Sequence, residues 1–222
     1  EYCKWAAAQL SNLKFSHKVI SIDPVDDVYK VTVIHTQTCV TTVYYTHKIV
    51  LGTGTSPHVP DFIDTEALPN VIHASQYLYF KPQIQKNASV TIIGSGQSAA
   101  EVFRDLLPDT EDGLQLKWFT RSSHFFPLDN KSKLTLELTS PEYVDHFHSL
   151  SAQKRKQLLD SQHGLYKGID HELINEIFDS LYEMSLEDTP LNVELRSNMR
   201  LTSVKEDTDG SHLLDFVQTE LE

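Results

Sequence analysis

The run VTIIGSGQSAAEVF, Val90 to Phe103, limits the fold more than any other stretch. An apolar, β-branched strand at Val90–Ile93 passes directly into Gly94-Ser95-Gly96-Gln97-Ser98-Ala99, and a helix-forming segment follows. A strand entering a glycine-rich turn that opens a helix is the first half of a βαβ unit. The first glycine permits the sharp turn. The second removes a side chain, so that backbone N–H groups can approach a pyrophosphate. The small residue at the third place, Ala99, lets the helix pack closely on the strand. The helix N-terminus adds partial positive charge, worth about 0.3–1 kcal/mol to an anion in an exposed setting. The pattern alone also fits a merely structural tight turn; the strand before it and the helix after it favour nucleotide binding.

The end of the next strand selects the nucleotide. The unit continues through a helix Gln97–Leu107, a stop at Pro108, a polar turn Asp109–Gly113 and a strand Leu116–Thr120. An NAD site places Asp or Glu at that strand's end, on the ribose 2′-hydroxyl. Here the chain reads Thr120-Arg121-Ser122-Ser123. A guanidinium flanked by hydroxyls suits a 2′-phosphate, which it binds bidentately, so NADPH is favoured over NADH. The alternative for Arg121 is a surface ion pair with an acidic loop residue such as Glu111.

Upstream, residues 1–13 have helical spacing. Strand-like runs then follow at Lys18–Ile22, Val28–His35 and Cys39–Tyr45, with Asp26-Asp27 as a turn. A fourth apolar run, Lys48–Leu51, ends at Gly52-Thr53-Gly54, and the whole reads as an antiparallel meander. Pro57, Pro60 and Pro69 mark a linker. Downstream, Ser140-Pro141, Ser151 and Asp170 read as N-caps of three helices, the last carrying Leu173, Ile174, Ile177, Phe178 and Leu181 on one face. Strands return at Asn192–Leu195, Met199–Lys205 and, after a turn at Asp209-Gly210, Leu213–Gln218.

Several functions are disfavoured. A net charge of −12, with Lys154-Arg155-Lys156 the longest basic run, argues against a nucleic-acid groove. No apolar run reaches the roughly 18 residues of a membrane span. Cys3 and Cys39 form no C-x-x-C; they fit a reducing cytoplasm, with a single disulfide left open. No metal site is expected: His146 and His148, two apart on a helix, point to different faces. Tyr143, Phe147 and Leu150 read as helix-packing residues. One of Trp118 and Phe119, alternating on a strand, should be buried. No catalytic residue can be named. Tyr77 and Lys81 match Y-x-x-x-K, but Pro82 gives the segment a loop-like context, whereas that motif needs a helix.

Further stretches carry a resemblance. Ile49–Gly54 with Pro57 and Pro60 resembles the "ATG" strand of flavoproteins that have two dinucleotide-binding domains, and His73-x-x-x-Tyr77 resembles the tail of the flavin monooxygenase fingerprint. Together with EYCKWAAAQL, LGTGTSPHVP, VIHASQYL, WFTRSSHFFPLDNKSKLTLELTSPEYVDHF and LYKGIDHELINEIF, the chain resembles the N-hydroxylating flavin monooxygenases of siderophore synthesis, which act on L-lysine or L-ornithine. The block Trp118–Phe147, with LYKGID, is closer to the lysine enzymes.

The resemblance implies an α/β chain: a Rossmann-like NADP-binding domain with a helical insertion and a flanking antiparallel β-meander. Residues 1–56 would be a remnant of the FAD-binding domain, 57–205 the NADPH domain with a substrate-side helical segment at about 125–187, and 206–222 a strand returning toward the FAD domain. Ser95, Gly96, Gln97 and Ser98 would line the NADPH pyrophosphate and ribose, and Arg121 would hold the adenosine phosphate. Leu165, Tyr166 and Lys167 would approach that cofactor, and Gly52, Thr53 and Gly54 would sit near FAD. Leu136, Glu137, Leu138 and Thr139 would approach the substrate, although ornithine enzymes carry Asn at the positions aligned with Leu136 and Leu165.

The implied reaction uses NADPH, FAD and molecular oxygen to convert the ε-amine of L-lysine to N6-hydroxylysine in the cytoplasm; the chain is also compatible with a homo-oligomer. Only the NADPH cradle is present, and the opening Glu1–Trp5 reads as mid-helix. The chain therefore reads as an internal piece that binds NADP(H) but is inactive alone. L-ornithine as substrate, an NADP(H)-binding regulatory module and an interaction protein with a vestigial cradle remain as alternatives.

Overall fold

The computed structural model describes residues 1–129, 137–186 and 190–221. The chain divides into two compact units, Glu1–Ser56 and Pro57–Glu222.

In the first unit, helix α1 spans Tyr2–Ala8, shorter than the periodicity over 1–13 predicts. It has no side-chain cap and buries no residue, so neither capping nor packing extends it. Strands β1 (His17–Val25), β2 (Val28–His35) and β3 (Thr41–Thr46) form the expected antiparallel meander in that order. Val25 pairs with Val28 across the Asp26-Asp27 turn, where Asp26 takes a φ of 49°. Among this unit's described residues Val33 alone is buried. Lys48–Leu51, expected as a fourth strand, is irregular. Val50 is 96% exposed and Leu51 71%, and no strand among the described residues pairs with them. Without a neighbour to take its N–H and C=O groups, an apolar extended run is not a strand. Cys3 and Cys39 are both free.

The second unit is built on a parallel sheet of β4 (Ser89–Ile93), β5 (Gln115–Phe119) and β6 (Val193–Arg196), in the order β4-β5-β6. Helix α3 (Gln97–Leu106) makes the first crossover and presents Ala99, Ala100, Phe103 and Leu106 to the core. Both Trp118 and Phe119 are buried, where simple alternation predicts one. The strand is covered on both faces. The Trp118 ring lies 4.8 Å from Phe103 and 4.3 Å from Phe125, whereas Phe119 meets Phe216 edge-on at 5.0 Å. Phe216 belongs to a hairpin of β7 (Met199–Glu206) and β8 (His212–Gln218).

The second crossover carries α4 (Pro141–Ser149), α5 (Ala152–Ser161) and α6 (His171–Ser185). Ser140, Ser151 and Asp170 cap them, each side chain accepting from a first-turn N–H. Leu173, Ile174, Ile177, Leu181 and Met184 of α6 pack on the core, but Phe178, counted on the same face from its spacing, is 67% exposed. Among the described residues no group of three or more metal-ligating side chains occurs, and no helix is long and apolar enough to cross a membrane.

The Y-x-x-x-K stretch is not a loop. Tyr77–Ile84 forms helix α2 with Pro82 inside it. The i, i+4 spacing brings Tyr77 and Lys81 onto one face, where both reach the same carboxylate: Tyr77 Oη donates to Asp105 at 2.5 Å, and Lys81 Nζ lies 2.7 Å away. This tertiary anchor outweighs the hydrogen bond that proline removes. Burial, then the Asp105 contact, pushes the Tyr77 hydroxyl well above its ordinary range. Partial burial opposes ionisation of Asp105, but the bonds from Lys81 and Tyr77 prevail and hold its carboxyl below the usual range.

A raised Tyr77 contributes stability that is present below its ordinary pKa and lost in strong alkali. A lowered Asp105 contributes stability that is present at neutral pH and lost as pH falls through its folded value. Tyr77→Phe should therefore cost about 1–2 kcal/mol at pH 7, toward the low end for a bond to a charged acceptor because Asp105 keeps Lys81 and is partly exposed. Urea unfolding followed by Trp118 fluorescence measures this, and the gap from wild type should narrow below the ordinary carboxylate range.

Candidate functional site

Gly94 is pinned from both sides. Its N–H donates to the Phe119 carbonyl at 2.9 Å, and its own carbonyl accepts the Trp118 indole N–H at 2.6 Å. Its φ of 131° is one that a side chain strongly disfavours. Space is not the constraint there, since an added Cβ would meet only Ala99 Cβ, at an ordinary 3.8 Å. Ala99 is itself buried, as close helix–strand packing requires. Gly96 is the N-cap of α3, and a Cβ there would meet nothing within 4 Å. No side chain caps this helix; the Ala99 N–H donates to the Gly96 carbonyl, while no acceptor among the described residues takes the Gln97 or Ser98 N–H. Open space, amides facing it and the helix dipole fit a pyrophosphate.

The exit of β5 is tied to this turn. Ser95 Oγ and Ser122 Oγ are 3.0 Å apart and hydrogen-bonded. The Ser122 N–H donates to the Oγ1 of buried Thr120. Arg121 lies between these two anchored residues, exposed and with no ion-pair partner among the described residues. The alternative pairing with Glu111 is not formed. An exposed guanidinium next to Ser122, which is tied to the glycine turn, fits the 2′-phosphate of NADPH.

A third segment comes in from far along the chain. Gln97 Oε1 accepts the Asp170 backbone N–H at 2.7 Å, while its Nε2 donates to Glu101 at 3.0 Å. Both ends of a side chain expected on the nucleotide are thus held by protein, whereas Ser98 is exposed. Asp170 ends the stretch Leu165–Asp170. Leu165 is half-buried, Tyr166 donates its hydroxyl to the Leu159 carbonyl, and the exposed Lys167 ammonium lies 5.8 Å from the Tyr166 ring centre. This stretch is stapled to residues 126–129: Ile169 N–H donates to Phe126 O, Leu128 N–H to Ile169 O, and Asp129 N–H to Gly164 O. Gly168 allows that approach. Its φ is 155°, and a Cβ would lie 2.9 Å from backbone atoms of residues 126–128.

Leu136 falls outside the described residues. Glu137, Leu138 and Thr139 form a 3-10 turn leading into α4, and no hydrogen bond between described residues links them to the glycine turn. Gly52, Thr53 and Gly54 belong to the other unit, exposed and irregular, with Gly54 at a φ of 70°. Both glycines face open space, which suits backbone approach to a cofactor, but they supply no strand–turn–helix cradle. The sequence marks Asp170 as an N-cap but not its bond to Gln97, and it gives no sign of the Gly168 contact or the Ser95–Ser122 tie.

Residues 1–222 match the family described as L-lysine 6-monooxygenase/L-ornithine 5-monooxygenase. A putrescine N-hydroxylase from Shewanella oneidensis is 45% identical over 96% of this chain and 42% of its own length. An L-lysine N6-monooxygenase from Escherichia coli is 29% identical over 96% of this chain and 49% of its own. A FAD-bound cadaverine monooxygenase of desferrioxamine biosynthesis from Erwinia amylovora superposes with a TM-score of 0.90 at 42% identity, covering 99% of this chain and 51% of that one. The chain spans about half the length of the relatives it matches. Matched over its whole length, the chain belongs to the siderophore-biosynthetic family of FAD- and NADPH-dependent N-hydroxylating monooxygenases.

Proposed function

We propose that the intact protein N-hydroxylates a terminal primary amine of a short aliphatic diamine, of the putrescine or cadaverine class. One observation carries the reading: relatives named for those diamines are 45% and 42% identical, against 29% for the L-lysine enzyme. L-Lysine is the second reading, supported by the likeness of Trp118–Phe147 and LYKGID to the lysine enzymes. Cadaverine and lysine present the same aminobutyl-like end to the chemistry and differ at the far carbon, where lysine adds a carboxylate.

In this reading the second unit is the NADPH-binding domain and the first belongs to the FAD-binding domain. NADPH and FAD supply, when bound, the reducing equivalents and the oxygen activation. The amides at Gly96–Ser98 hold the pyrophosphate, and Arg121 holds the 2′-phosphate. Leu165–Lys167 borders the same nucleotide and limits water around it. The substrate nitrogen reacts with its lone pair free, so its surroundings favour the neutral amine over the ammonium found in water at neutral pH.

Two measurements test this. In the intact protein, hydroxylamine formed per NADPH consumed is compared for putrescine, cadaverine, L-lysine and L-ornithine. A diamine kcat/KM at least about tenfold above that of lysine, roughly 1.4 kcal/mol, is expected; the reverse order would establish the lysine reading. Arg121→Ala should weaken NADPH about 10- to 100-fold, the range of a charged hydrogen-bonded pair, while leaving NADH unchanged. Equal losses for both nucleotides would show that Arg121 does not read the 2′-phosphate.

A further inference from the structure

Gln97 occupies the first helical position after the glycine turn, where a long polar side chain would be expected to reach the bound nucleotide. Both polar atoms of its amide already have a protein partner. The Oε1 is the acceptor for the Asp170 N–H at 2.7 Å, across 73 residues of sequence, and Nε2 is spent on Glu101 one helical turn away. Glu101 holds the amide in the one orientation that aims Oε1 at Asp170. Asp170 in turn starts α6 by capping Glu172 and Leu173 with its side chain, so its backbone N–H lies just before that helix and needs an outside acceptor. Gln97 supplies it.

The stretch that ends at Asp170 is also held by backbone bonds on another side and by Ile169, which lies in the core cluster that includes Ala99, Ala100 and Phe103 of α3. Residues 126–129 bond to Gly164 and Ile169, and Ile169 is completely buried. Gly168 fixes the separation of the two backbones, with no room for a Cβ. Gln97 is thus a direct side-chain tie between the helix of the glycine turn and the stretch Leu165–Lys167.

We propose that Gln97 is a positioning residue: its side chain fixes the 164–170 loop at the edge of the Gly94–Ala99 turn and does not itself bind the nucleotide. This rests on reading that turn as the NADPH site. Removing the tie takes away the Gln97 acceptor of the Asp170 N–H and loosens the loop against the turn, and bound nucleotide must then order the loop.

The test uses the intact FAD-loaded protein and two readouts besides turnover: hydrogen exchange at the Asp170 amide and NADP⁺ affinity by titration. Gln97→Met keeps the length of the side chain and removes both polar atoms. It should speed Asp170 exchange at least about tenfold and weaken NADP⁺ about five- to tenfold. Gly168→Ala displaces the same loop from its other side without touching the turn. If Gln97 acts through the loop, the double variant binds NADP⁺ no more weakly than Gly168→Ala alone. Unchanged Asp170 exchange in Gln97→Met overturns the proposal, and this holds even if Gly168→Ala fails to fold. Losses that multiply in the double variant also overturn it, because they place Gln97 on the nucleotide. Failure of the wild-type protein to bind NADP⁺ overturns the site reading and the inference together, an outcome visible before any variant is made.

Discussion

A buried indole N–H must find an acceptor, and in this chain the acceptor is the carbonyl of Gly94. Trp118 is 1% exposed and stacked between Phe103 of α3 and Phe125 of the segment after β5. The same residue therefore packs the crossover helix, packs the incoming loop and pins the first glycine of the turn. Gly94 N–H returns a bond to Phe119, so the turn is fastened to β5 and not only to the strand that leads into it. The position of the cradle is set by the core itself. Arg121, two residues beyond Phe119, shares that frame, and the Ser95–Ser122 bond adds a second tie. The turn and the backbone at Arg121 are held in one frame, as the proposed two-point recognition of a pyrophosphate and a 2′-phosphate would require.

Most of this frame could be read from the sequence because its causes are short-range. β4, α3 and β5 follow from a β-branched run, two glycines and an i, i+3/i+4 apolar set. The three caps at Ser140, Ser151 and Asp170 depend on residues at most three positions away. What stayed hidden depends on distant partners. Pro82 argued for a loop, but Asp105, 28 residues from Tyr77, stabilises a helix there. Phe178 fits the periodicity of α6 and yet faces outward, since the pattern gives spacing but not how wide a stripe the neighbouring core covers. Val50 and Leu51 have strand composition without a strand neighbour, and composition cannot supply one. The Gln97–Asp170 bond spans 73 residues and leaves no local signature.

The site is also legible to different depths on its two sides. The nucleotide side is a matter of backbone shape, and glycines announce backbone shape plainly. The amine side would be shaped by side chains whose placement depends on the whole protein, and no motif in this chain encodes it. That is why the block Trp118–Phe147 suggests lysine while overall identity runs toward diamine enzymes. The block contains Trp118, Phe119 and Phe125 of the core and Arg121 and Ser122 of the proposed nucleotide clamp, so on that proposal its likeness to lysine enzymes reports a shared cofactor frame before it reports a shared substrate.

The same division explains why no acid, base or nucleophile stands out. Two perturbed ionisable groups, Tyr77 and Asp105, are bound to each other, Asp105 also pairs with Lys81, and together they hold α2 against α3. Perturbed titration here marks a packing joint. A protein whose cofactors carry the chemistry needs rigid placement and exclusion of water more than a reactive side chain. This chain spends its strain accordingly: a φ of 131° at Gly94, where the cradle opens, and 155° at Gly168, where two backbones meet beside it. Both positions serve where the backbone goes, and between them Gln97 uses every polar atom of its amide to keep one in register with the other.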